Sequence, residues 1–265
     1  MSDRGRRHHR NEDALALRGS GPSRNSAAVA IVCDGVSSSA RPDEASETAA
    51  EVAAESLVTA LQTHNSPAAA TRLAIHAADK AVAALADAGP TGGKTPACTF
   101  VSAIVTGNTV TVGWVGDSRA YWIPVAHANS APTRLTSDDS WLAQVVEAGI
   151  LSPAQAAADR RAHTITAWLG EDGQQVEPHV VTIEPDGPGV VVICTDGLWN
   201  YLDSVEELAA AVPAQALHDP LGAARRLVEV ALRSGGRDNI TVAVLPFASD
   251  LVDASIAPHL AMTIS

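Results

Sequence analysis

Short apolar runs, each bounded by a carboxylate and a glycine, punctuate this chain. Ala28-Val29-Ala30-Ile31-Val32-Cys33 runs into Asp34-Gly35, and Val190-Val191-Val192-Ile193-Cys194-Thr195 runs into Asp196-Gly197. Runs of this length that end in turn residues predict buried strands. A third run, Ile240-Thr241-Val242-Ala243-Val244-Leu245, follows Gly236-Arg237-Asp238-Asn239. Gly116-Asp117-Ser118-Arg119 separates two more, 110–115 and 120–123. In the first of these, Val110, Val112 and Trp114 alternate with Thr109, Thr111 and Gly113, the period of a sheet. Gly107-Asn108 predicts a hairpin turn back to a strand over 98–106, and 19–25 a turn between a short strand at 14–17 and the Asp34 strand.

Helical spacing occupies the gaps. A helix is expected from about Arg41, with Pro42 in a tolerated first-turn position and Ala49, Val52, Ala53, Leu57, Ala60 and Leu61 on one face. A second, over 67–88, is expected to bury Leu73, Ala77, Ala81 and Ala84. Short helices are expected at 140–148, 152–159 and 165–169, then strands at 176–183 and 190–195, and helices at 205–211 and 221–234. The hairpins favour antiparallel pairing and an α+β fold over a βαβ sheet. One domain over 1–247 is expected, with a loosely attached tail at 248–265.

A buried strand that ends in Asp puts a charge at the rim of an apolar core, where it must be paired or hold a metal. Asp34, Asp117, Asp196 and Asp238 each stand at a strand boundary, the oxygen-rich pattern a hard cation requires. Any one of them alone reads as an ordinary turn residue.

The formal net charge of -12 argues against a broad basic surface for nucleic acid. Cys33, Cys98 and Cys194 lie in or beside apolar runs without a CxxC pair, which predicts small buried hydrophobes in a reducing compartment. No apolar segment approaches the roughly 18 residues of a membrane span, and the first residues lack the apolar core of a secretion signal. A cytoplasmic monomer is the expectation. Arg4-Gly5-Arg6-Arg7-His8-His9-Arg10 runs directly into Asn11-Glu12-Asp13; by itself it reads as a solvated basic terminus.

Asn11-Glu12-Asp13, Asp34-Gly35, Gly116-Asp117-Ser118-Arg119-Ala120-Tyr121, Leu135-Thr136-Ser137-Asp138-Asp139-Ser140, Cys194-Thr195-Asp196-Gly197-Leu198 and Gly236-Arg237-Asp238-Asn239-Ile240-Thr241 occur in that order. In order and spacing the set resembles the metal-dependent serine/threonine protein phosphatases of type two C, over about residues 3–246. The resemblance implies a four-layer α-β-β-α sandwich of two packed antiparallel sheets flanked by helix pairs. It also implies two Mg²⁺ or Mn²⁺ ions, with a third in many bacterial members. Asp34 would bridge two ions, the Gly35 carbonyl would bind one, and Asp196 and Asp238 would hold the other; these three aspartates would carry catalysis. Asp117 would serve the third ion. Glu12 would reach a metal through water, with Asp13 and Asn239 supporting the ligands from behind. The implied substrates are phosphorylated proteins made by a serine/threonine kinase.

The chain departs from the family pattern at the phosphate clamp. His8 stands where the family has Arg, with Arg7 and Arg10 beside it, so His8 or Arg7 is the expected phosphate-binding residue. Val36-Ser37-Ser38 follows Asp-Gly where the family has x-Gly-Gly, and Val36 cannot serve as a proton donor. These departures motivate an alternative, a weak or inactive relative that binds phosphoproteins. A third reading, a phosphatase with an aspartate nucleophile, wants a second Asp where Val32 stands.

Overall fold

The computed structural model describes residues 1–19, 27–87, 94–125, 130–170 and 176–248. In chain order the elements begin with β1 (Ser2–Asp3), β2 (Asp13–Gly19), β3 (Ala27–Asp34), α1 (Pro42–Gln62) and α2 (Pro67–Asp87). A meander follows: β4 (Phe100–Thr106), β5 (Thr109–Val115), β6 (Arg119–Pro124) and β7 (Thr133–Arg134). Then come α3 (Trp141–Glu147), α4 (Pro153–Ala157), β8 (His179–Ile183), β9 (Gly189–Cys194), α5 (Asp196–Trp199), α6 (Val205–Ala211), α7 (Pro220–Ser234) and β10 (Ile240–Phe247).

The strands form two sheets of antiparallel neighbours, ordered β1-β10-β9-β6-β7 and β2-β3-β4-β5-β8. Helices α1 and α2 cover the outer face of the second sheet, and α5 to α7 that of the first. This is the four-layer α-β-β-α sandwich that the resemblance implied. The continuous apolar runs now have a cause: both faces of the central strands are buried. Along β9, Val190, Val192 and Cys194 face the helices while Val191 and Ile193 face the other sheet. Along β3, Val29, Ile31 and Cys33 pack under α1 and α2, and Ala30 and Val32 join the layer between the sheets. All three cysteines are free and buried.

Three expectations are corrected. First, α2 does not bury Leu73, which is 51% exposed. Its buried stripe is Ala70, Thr71, Ala74, Ile75, Ala78, Asp79 and Val82. In a helix so rich in alanine the apolar pattern selects no single face. The choice falls to Thr71 and Ile75, which seat on the space left open at Gly113 of β5. Second, 165–169 is not helical but irregular, with a single bridge at each end. Ile165 bridges Ser140 and Leu169 bridges Cys98, an outcome that suits the β-branched Thr164, Ile165 and Thr166. Third, the strand expected from 176 starts only at His179. The short β1 and β7 and the one-turn α5 left no periodic signal. Positions 20–25 of the turn expected at 19–25, position 88 and the tail from 249 lie outside the described residues. Among the described residues no helix is long and apolar enough to cross a membrane.

Candidate metal centre

The row of side chains between the sheets turns from apolar to polar at one end of the sandwich. On β3 the inward positions run Ala30, Val32, Asp34. On β2 Leu15 packs on that layer, and Asp13, two residues earlier on the same face, stands directly opposite Asp34. Thr195 closes the inward row of β9: its hydroxyl donates to Asp13 Oδ2 at 3.0 Å and accepts from the Thr241 amide at 3.0 Å. Asp117 enters from the β5–β6 turn, Asp196 from the start of α5, and Asp238 from the turn before β10.

Two Asp-Gly pairs allow this crowding. A Cβ at Gly35 would run into the backbone carbonyls of Pro42 and Glu12, and one at Gly197 into the carbonyl of Asn239. Glycine alone lets the Asp34 and Asp196 segments approach so closely.

The electrostatics record the crowding. Burial pushes the Asp34 carboxyl well above the carboxylate range, and the charges of Asp13, Asp196, Asp117 and Asp238 push it further. Asp13 is raised to about 7, chiefly by burial; the Thr241 and Thr195 hydroxyls pull it down and Asp196 and Asp238 push it up. Asp117 is raised to about 7 by burial, Asp196 and Asp138. Asp196 is raised to about 6 by burial and Asp238, with opposing pulls from hydrogen bonds to Asp34 and Asn200 and from His163. Asp13 Oδ1 is buried without a hydrogen-bond partner. Such an arrangement is costly unless cations neutralise it. Among the described residues no three His, Cys, Asp or Glu side chains stand together as a ready-made metal site. Mg²⁺ does not ask for one, since it takes one or two carboxylates and keeps several waters. The all-oxygen donor set therefore fits Mg²⁺ or Mn²⁺ and not a thiophilic ion.

Other expected residues lie around this cluster. Asn239 accepts from the Glu12 amide at 2.7 Å and donates to the carbonyls of Arg4 at 2.8 Å and Arg10 at 3.1 Å, tying the N-terminal arm to the β10 turn. Glu12 is buried; it accepts from the Ser37 hydroxyl at 2.6 Å and from Arg10 Nε at 3.2 Å. His8 faces the cluster and not open solvent: its Nε2 lies 3.2 Å from Asp238 Oδ1. Arg7, His8, His9, Arg10, Glu12 and Arg237 line one pocket of about 480 Å³. Residues 3–13 are thus a folded part of the site. Arg237, Thr195 and Ser37 were missed as contributors. Arg237 had a signal, since it sits inside the Gly-Arg-Asp-Asn motif; the two hydroxyls had none.

The Protein phosphatase 2C family matches residues 4–231. PstP of Mycobacterium tuberculosis, a serine/threonine protein phosphatase, is 30% identical over 158 residues, 58% of this chain and 27% of that protein. PhpP of Streptococcus pneumoniae, a protein phosphatase, is 30% identical over 131 residues, 49% of this chain and 50% of its own length. The chain therefore spans between a quarter and a half of these curated relatives. The PstP catalytic domain, solved in complex with two manganese ions, superposes with a TM-score of 0.68 at 27% identity, covering 94% of this chain and 96% of that one. With the family match running over most of its length, the chain belongs to the protein phosphatase 2C family.

Proposed function

We propose that this chain is a metal-dependent phosphatase that hydrolyses phosphoserine and phosphothreonine on proteins. The observation that carries the reading is the convergence of Asp13, Asp34, Asp117 and Asp196 at one rim beside Asp238, with the first four carboxyls pushed upward by burial and by neighbouring carboxylates. Asp34, Asp196, Asp238 and the Gly35 carbonyl would hold two Mg²⁺ or Mn²⁺ ions, the number found in the two-manganese PstP domain, and Asp117 would hold a third. When bound, such a pair lowers the pKa of a water and orients it for in-line attack on phosphorus. The chain itself supplies positions and charge. Asp13 is held by Thr195 and backs Asp34; Asn239 fixes the Asp238 turn to the N-terminal arm; the pocket of Arg7, His8, Arg10 and Arg237 gathers positive charge where a phosphate dianion would enter. No serine or cysteine nucleophile is required.

We place it with the substrates of a serine/threonine kinase, as a monomer in a reducing, cytoplasmic setting; the three unpaired buried cysteines support the last point. One observation favours a second reading, a relative that binds phosphoproteins without turnover: His8 is spent on Asp238. Turnover of para-nitrophenyl phosphate and of a phosphothreonine peptide with Mn²⁺, and its loss in EDTA, is the expected result. Binding of the peptide without turnover selects the second reading.

A further inference from the structure

We infer that Arg237 grips the substrate phosphoryl group; the inference rests on the phosphatase reading. Three of the pocket's cationic side chains are accounted for. His8 faces Asp238, while Arg10 is shared between Glu12 at 3.2 Å and Asp43 at 3.1 Å. His9 offers a single ring donor and no permanent charge. Arg7 and Arg237 remain, and no acidic partner of either is found among the described residues. Other described arginines also lack a carboxylate partner, Arg72 and Arg226 among them, but Arg7 and Arg237 are the two that line this pocket. Arg18, Arg41, Arg119, Arg134, Arg161 and Arg233 all have acidic partners.

Placement separates Arg237 from Arg7. Arg237 lines the Arg7–Arg10 pocket and also the adjoining recess of about 250 Å³ formed with Gly197, Asn200, Tyr201 and Asp238. It therefore stands between the basic entrance and the Asp196–Asp238 side of the carboxylate cluster. Its backbone is fixed on both sides. Its amide donates to Tyr201 Oη at 2.9 Å, Gly236 before it has φ +54° and accepts from the Arg6 amide at 2.7 Å, and Asp238 after it accepts from the Asn239 amide at 2.8 Å. An exposed side chain on an anchored base gives up only its own rotamer freedom on gripping a ligand. A guanidinium also offers a planar two-donor fork to two phosphate oxygens, whereas the imidazole of His8 offers one donor.

The test measures KM for a phosphothreonine peptide and the inhibition constant of inorganic phosphate, with Mn²⁺, for wild type, Arg237→Ala, Arg237→Lys and Arg226→Ala. Arg226 is an exposed cation of α7 outside the pocket. Arg237→Ala should raise both constants about tenfold, with a smaller effect on kcat. Arg237→Lys should fall between, Arg226→Ala should match wild type, and added guanidinium ion should lower KM for Arg237→Ala alone. Unchanged constants in Arg237→Ala, an equal rise in Arg226→Ala, or a KM rise with an unchanged phosphate constant would each overturn the assignment. If wild type shows no EDTA-sensitive turnover, the phosphatase reading falls by itself. Calorimetric titration of wild type and Arg237→Ala with inorganic phosphate then decides Arg237 separately: weaker binding in the variant supports it and equal binding overturns it.

Discussion

Asp13 and Asp34 face each other directly across the β2–β3 ladder. Like charges in directly opposed positions destabilise a sheet, and here Asp13 is the foremost of the charges raising the Asp34 carboxyl. Asp34→Asn removes that repulsion. It should raise the metal-free Tm, by roughly 2–4 °C for each kcal/mol relieved in a domain of this size, while nearly abolishing turnover. Thermal melts in EDTA beside a Mn²⁺-saturated assay check both halves. A lower metal-free Tm, or turnover within about tenfold of wild type, contradicts the role given to Asp34.

The raised carboxyls set a pH dependence whose sign follows directly. Asp13 and Asp117 titrate near 7 and Asp196 near 6 when folded, against 3.8 for an ordinary Asp. Between those values the folded chain holds more protons than the unfolded one, so metal-free stability falls as pH rises from about 4 through 7. Metal binding needs the ionised carboxylates and releases protons. The Tm gain from saturating Mn²⁺ should therefore be larger at pH 8 than at pH 5. A gain that is equal or smaller at pH 8 would exclude Asp117 and Asp196 as ligands.

His8→Ala should weaken the apparent metal affinity more than it raises KM for a phosphopeptide, because the imidazole contacts Asp238. A metal titration at fixed substrate and a substrate titration at saturating metal separate the two effects. A KM rise of about tenfold with unchanged metal dependence would return His8 to the phosphate clamp.

Asp139 anchors the start of the 136–170 segment. Its amide donates to the Gly116 carbonyl and its carboxylate accepts from the Gly116 amide, both at 2.9 Å, and it meets His179 Nε2 at 2.9 Å. Gly116 precedes Asp117, so Asp139→Ala should shift the metal dependence of kcat and lower stability by about 1–3 kcal/mol. Denaturant melts and a metal titration provide the check; unchanged values in both would remove Asp139 from that role.

The middle of that segment should be far less protected. α3 buries none of its residues, whereas β5 is buried along nearly its whole length. Hydrogen exchange should show α3 opening at lower free energy than β5. Equal protection would show that α3 is not the loosely held element proposed.

The sequence by itself determined the strands and what ends them. A residue in a central strand is buried on either face, so β3 and β9 carry unbroken apolar runs, and the abrupt arrival of Asp34 and Asp196 marks the rim. The Gly107-Asn108 turn and the Thr-Val alternation of β5 were equally local signals. Distance in sequence hid the rest. That Asp13 opposes Asp34, that Thr195 braces Asp13, and that His8 meets Asp238 are contacts between residues 21, 182 and 230 positions apart, decided by strand pairing and not by any local preference. The buried face of α2 was likewise a tertiary decision: alanine offers nearly the same apolar surface all round the helix, and only the gap at Gly113 of β5 chose Thr71 and Ile75 over Leu73.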